Sequence, residues 1–189
     1  MPPRTPVQKR SVDRREALVA AAAWAIEEYG PADCSARTIA AAAGLPLASV
    51  TYYFPKVDDL LGLGAERVTA AWVDRGRRVQ VEDTGVDAAA RGLVAALLPA
   101  PGDRNGLMAR YELVLSAARV APIAVALGAA RAGREQVIAD ILASARIRSD
   151  LEPGVLLDVV DGVALGSLAD ADADPGERVT TVLLQVLRG

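Results

Sequence analysis

Apolar residues recur every three or four positions along most of the chain, the spacing of a helix face, while β-branched clusters bounded by turns are scarce. Leu18, Ala22, Ala25, Ile26 and Tyr29 share one face of a predicted helix over 12–29, and Gly30-Pro31 stops it. Ser35 is the expected N-cap of a second, short helix that turns Ile39 and Ala40 inward and ends at Gly44. A third helix is predicted over 47–53, closed by Phe54-Pro55 because the residue before a proline is pushed out of helical geometry. A fourth starts near Val57 with Asp58 and Asp59 in its first turn, where carboxylates complement the helix dipole, and runs to about Gln80. Further helices are expected at 87–98, 104–119, 122–148, 154–169 and 176–188. Their separators are rich in Pro, Gly and Asp, and Pro122, Pro153 and Pro175 suit helix starts. The expected fold class is all-α, with about nine helices.

The second and third helices with Gly44 between them form a helix-turn-helix. Gly44 tolerates the positive φ of the turn, and Ile39, Ala40 and Ala43 give the first helix its apolar face. In the third helix Val50 and Phe54 lie four apart and face inward, leaving Ser49, Thr51, Tyr52 and Tyr53 for the outside. The N-terminal end of such a helix enters the DNA major groove, where hydroxyls meet base edges or phosphates and methyl groups meet thymine. Pro46, Leu47 and Ala48 open that helix and belong to the same candidate surface. Ser35 with the backbone N–H groups behind it forms an anion site, and Arg37, Thr38 and Lys56 add charge or hydrogen bonds on the flanks. The alternative is that Ser35 only caps, Arg37 is solvated and the tyrosines pack a three-helix core.

Composition narrows the chemistry. The 189 residues are 52% hydrophobic but only 4% aromatic, so Ala, Val and Leu must fill the core. Net charge is −3, yet Arg4, Lys9, Arg10, Arg14 and Arg15 face Asp13 alone near the N-terminus. That arm either is a solvated tail or contacts phosphate beside the helix-turn-helix. Histidine is absent and cysteine occurs once, at Cys34, so an imidazole base, an internal disulfide and a multi-cysteine metal site are excluded. Cys34 reads as a small filler beside the helix cap, with a redox switch as the alternative. Adjacent carboxylates such as Glu27-Glu28 diverge around a helix and cannot share one catalytic site. No enzyme, cofactor or metal is expected. No stretch approaches the roughly 18–20 apolar residues of a membrane span, and no signal-peptide core is recognised, so a cytoplasmic protein without membrane contact is expected.

Ile39, Ala40, Ala43, Gly44, Val50, Tyr52, Phe54, Pro55, Asp58, Asp59, Leu60 and Leu61 stand in an order and spacing that resembles the TetR family of bacterial one-component regulators. Trp24, Ile26 and Tyr29 ahead of Gly30 fit the same resemblance, which covers residues 12–62. Thr51 stands where the family often has tyrosine, Pro46 where a serine usually caps, and Lys56 one position before the usual lysine. Residues 1–11, rich in proline and basic charge, read as a disordered arm, and the resemblance implies a DNA-binding domain over 12–62 and an effector-binding and dimerisation domain over 63–189.

The last two helices are aliphatic over more than one face, and Gly162 and Gly166 permit close helix approach. A homodimer interface is therefore expected at Leu156, Val159, Val160, Val163, Gly166, Val182, Leu183 and Val186; the alternative is that these helices close the protomer's own core. An effector pocket is expected between the fourth and eighth helices, with Trp72, Met108, Tyr111 and Leu115 as walls and Glu112 and Arg119 as polar anchors. Such a pocket suits a hydrophobic or amphipathic small molecule. The function this implies is a repressor bound to a palindromic double-stranded DNA operator and released by its effector. The rivals are an all-helical enzyme and a non-specific architectural DNA-binding protein, and the acidic balance weighs against the latter.

Overall fold

The computed structural model describes residues 6–171 and 173–188. Among the described residues every regular element is helical: α1 (Pro6–Tyr29), a 3₁₀ turn (Pro31–Asp33), α2 (Ala36–Ala42), α3 (Leu47–Tyr53), α4 (Val57–Arg77), α5 (Val86–Leu97), α6 (Arg104–Ser116), α7 (Ala121–Ser144), α8 (Pro153–Ser167) and α9 (Pro175–Arg188). The fold is all-α, as the apolar spacing predicts. Helix ends agree with the sequence reading to within about a turn, with α1 the exception. It begins at Pro6, so residues 6–11 of the expected disordered arm are helical, and Arg4 lies outside the described residues.

The chain divides into two compact units. The first comprises the described residues up to Thr69 with Ala109–Gly128; the second comprises Ala70–Met108 with the described residues from Ala129 onward. The corner joining α6 to α7 thus belongs with the helix-turn-helix, a grouping different from the sequence division at 62/63.

In the first unit α1 packs on α2, and α2 on α3. Leu18, Ala22, Ala25 and Ile26 of α1 are buried, with Ile39, Val50, Phe54, Leu60, Leu113 and Ile123. Tyr29 was expected on that inward face but is 47% exposed, its ring set edge-on against Trp24 at 5.4 Å. On α4, Gly62 is pressed against Pro122 at the start of α7 so closely that a β-carbon has no room. Alanine and glycine let helices approach where a chain poor in aromatics would otherwise leave voids.

In the second unit α9 packs on α5 and α8. Two arginines one turn apart on α7 meet two aspartates one turn apart on α8. Arg134 grips Asp161 with two hydrogen bonds of 3.0 Å, and Arg131 reaches Asp158 at 2.9 and 3.2 Å. Arg134 is buried while Arg131 is open to solvent, so the inner pair carries the energetic weight. Arg104 donates to the carbonyls of Leu168 (2.6 Å) and Asp170 (3.1 Å), placing a cation on carbonyls just beyond α8.

Candidate nucleic-acid interface

The helix-turn-helix is built from local rules that leave little freedom. Ser35 has extended backbone and its Oγ accepts from the Thr38 N–H at 3.1 Å, the N-cap the sequence predicts. The Thr38 hydroxyl lies 2.8 Å from Ser35 Oγ. Gly44 takes φ +64, a region a side chain disfavours, and so turns the chain between α2 and α3. Pro46 precedes α3 with φ −60 and ψ 145, supplying the helix entry by ring geometry in place of a capping hydroxyl. Phe54 leaves the helix at φ −134 and ψ 91, ahead of Pro55.

Burial orients the recognition helix. Val50 is fully buried and Phe54 nearly so, which fixes the rest of α3 on the outside. Leu47 is 44% exposed and Tyr52 77%; Ala48 and Thr51 are exposed, and Ser49 and Tyr53 half-buried. Tyr52 and Tyr53 meet edge-on with ring centres 4.9 Å apart. Tyr52 therefore stands outside the three-helix core, and Tyr53 at its edge. Thr51 Oγ1 donates to the carbonyl of Ala48 at 3.2 Å.

Around α3, Arg37 and Lys56 are exposed, as are Arg10, Arg14 and Arg15 on α1. Arg15 lies 5.1 Å above the Phe54 ring, a cation–π contact that ties α1 to the exit of α3. The sequence grouped Arg15 with the free arm; its partner sits 39 positions away in the chain, beyond the reach of any local pattern. Cys34 is buried, its thiol donating to the Gly30 carbonyl at 3.2 Å. Burial first, and then the nearby Asp33 carboxylate, push that thiol up to about 11. A protonated, enclosed sulfur is a poor nucleophile, which favours the filler reading over the redox switch.

The residues expected to form an effector pocket do not share one environment. Trp72 and Met108 lie in the second unit, and Tyr111, Glu112, Leu115 and Arg119 in the first. Trp72 and Tyr111 are buried, whereas Met108 (45%) and Leu115 (65%) are exposed, as are Glu112 and Arg119. The reason is phase. Positions 108, 112 and 115 follow one stripe of α6, and the helix turns Leu107, Arg110, Tyr111 and Leu113 inward. Glu112 packs directly on Gly30 at the end of α1. A separate groove of about 570 Å³ in the second unit is lined mainly by α7 and the start of α8, including Arg131, Glu135, Gln136, Glu152, Val155 and Asp158. It contains none of the six.

The expected dimer residues divide as well. Leu156, Val160 and Leu183 are fully buried within the protomer, so they hold its own core together and present nothing to a partner. Val159, Val163, Val182 and Val186 are half-buried, and Gly166 is exposed. Gly162 and Gly166 each have open space where a β-carbon would stand.

Among the described residues, no group of three or more Cys, Asp or Glu side chains is placed to hold a metal ion. No single described helix is long and apolar enough to cross a membrane.

A model of the tetracyclin repressor-like C-terminal domain matches residues 84–189. Comparison with curated proteins finds no match. Among solved structures, the chain is similar to the multidrug binding protein EbrR complexed with imidazole, at 29% identity and TM-score 0.67, covering 93% of this chain and 90% of that one. EbrR has also been solved with proflavin and with ethidium, each 26% identical to this chain. A TetR family member from Streptomyces coelicolor A3 is 28% identical with TM-score 0.62, covering 93% and 98%. A transcriptional regulator from Rhodococcus sp. Rha1 shares the fold at 22% identity and TM-score 0.72, covering 93% and 96%.

Proposed function

Because the chain belongs to the TetR family of DNA-binding transcriptional regulators, which are not enzymes, we propose that it is a homodimeric repressor released from a palindromic operator by a small molecule. One observation carries the reading: α3 buries Val50 and Phe54 and turns Leu47, Ala48, Thr51 and Tyr52 outward between exposed cations. That is the surface a major-groove helix needs. Residues 12–62 act as the DNA-binding domain and 63–189 as the effector and dimer domain. Ser35, Arg37, Thr38 and Lys56 hold phosphates on either side of the groove, and Pro46, Leu47, Ala48, Ser49, Thr51, Tyr52 and Tyr53 approach the bases.

A symmetric regulator must place its two recognition helices in successive major grooves, about 34–36 Å apart. The open stripe on α8, formed by Val155, Val159, Gly162, Val163 and Gly166, suits close approach of a second copy, with Val182 and Val186 of α9 beside it. The effector is hydrophobic or amphipathic, a reading supported by the ethidium and proflavin complexes of EbrR. It releases DNA by favouring a dimer whose recognition helices have the wrong separation, which takes a differential affinity of a few kcal/mol.

The test is a gel-shift series with the purified protein, DNA flanking its own gene and a scrambled duplex. Because ethidium also intercalates into duplex DNA, its binding to the protein is measured without DNA; such binding, together with selective retardation of the flanking DNA, supports the reading. Equal retardation of both duplexes would place the protein with non-specific architectural binders.

A further inference from the structure

The recognition helix contains no side chain able to make a two-pronged hydrogen bond to a base. Residues 47–53 read Leu-Ala-Ser-Val-Thr-Tyr-Tyr, without the arginine, lysine, asparagine or glutamine that grip guanine or adenine edges. The exposed cations Arg37, Lys56, Arg10 and Arg14 all lie outside α3, where they suit phosphates.

Besides the Tyr52 ring and its hydroxyl, what α3 exposes is carbon. Leu47 is 44% exposed and Ala48 is open. Thr51 is exposed and its hydroxyl donates to the Ala48 carbonyl at 3.2 Å, so it offers the groove a methyl group and lone pairs but no donor. Positions 47, 48 and 51 lie within one turn on the same side of the helix, at the end that enters the groove. Among the four bases only thymine presents a methyl group in the major groove, at C5.

Resting on the regulator reading above, we infer that the operator is recognised mainly through thymine methyl groups packed against Leu47, Ala48 and Thr51. Hydrogen bonds from Ser49 and the tyrosines, and phosphate contacts from the flanks, set the register of that contact. The half-site therefore carries thymine where the first turn of α3 meets the groove.

The full-length protein is used to select binding sites from a randomised duplex library, and each thymine of the selected duplex is then replaced by deoxyuridine. This removes one methyl group and leaves the hydrogen-bonding edge unchanged. At one or more thymines per half-site the replacement should weaken binding about fourfold per buried methyl, while replacements elsewhere have no effect. The double variant Leu47→Ala/Thr51→Ser, which keeps the threonine-type hydroxyl and leaves the core intact, should lose that sensitivity. A fully uracil-substituted duplex that binds as tightly as the thymine form overturns the inference, as does a sensitivity that persists in the double variant. A selection that returns no consensus overturns the regulator reading itself, and this inference with it.

Discussion

The helix-turn-helix and the α7–α8 pair hold their shapes by opposite means. The first is short and locally dictated: a cap at Ser35, a left-handed turn at Gly44, a proline at each end of α3 and two buried side chains, Val50 and Phe54. The second is made of helices two or three times as long, joined by the part-buried Arg134–Asp161 pair and the exposed Arg131–Asp158 pair. In the short motif nearly every residue has a defined task, so its exposed positions follow from its buried ones. In the long helices many positions are interchangeable alanines, valines and leucines, and a residue's task depends on partners far away in the chain.

The largest effect expected from breaking this contrast lies in the long-helix region. Asp161→Ala leaves the Arg134 guanidinium buried without its carboxylate and should cost about 3 kcal/mol, read as a lower denaturant midpoint. Adding Arg134→Leu should recover part of that loss, because the uncompensated charge goes with it. Next comes Val50→Ala, which opens a cavity beneath α3 and should cost about 2 kcal/mol. DNA affinity should fall with it, while thermal unfolding remains cooperative.

Smaller effects sharpen the local half of the comparison. Gly44→Ala forces a β-carbon into the φ +64 turn and should cost about 1 kcal/mol. Ser35→Ala removes the hydrogen bond to Thr38 and should cost about 1 kcal/mol; both are measured by chemical denaturation. Smallest is a pH effect at Asp158. Its hydrogen bond to Arg131 holds the carboxyl below its usual value. A depressed folded-state value means the stabilisation is present above the unfolded carboxylate range and is lost as pH falls through the folded one. The pair is exposed, so its share is well under about 1 kcal/mol. Asp158→Asn should remove only a small part of the acid-side loss in a pH series of melting curves.

This contrast also explains what the sequence disclosed. Helix α3 was legible to the residue because Pro46 and Pro55 bracket it, and its inward side was legible because Val50 and Phe54 are its only large apolar residues four apart. Helix α6 was legible as an element but not in phase. Met108, Val114 and Leu115 are apolar yet exposed, while Arg110 is buried, so hydrophobicity pointed to the wrong stripe. The same ambiguity placed Leu156, Val160 and Leu183 at a partner surface when they fill the protomer's interior. The Arg15–Phe54 contact and the α7–α8 ion pairs were illegible because they join residues that no local spacing connects.

The outward face of α3 is proposed to read DNA sequence. Footprinting the purified protein on the DNA flanking its own gene tests it most directly. Two inverted half-sites should be protected, their centres about 10 base pairs apart or a multiple of that spacing, with the protection weakened in the Leu47→Ala/Thr51→Ser variant. Protection that is uniform along the fragment, or unchanged in that variant, would contradict it.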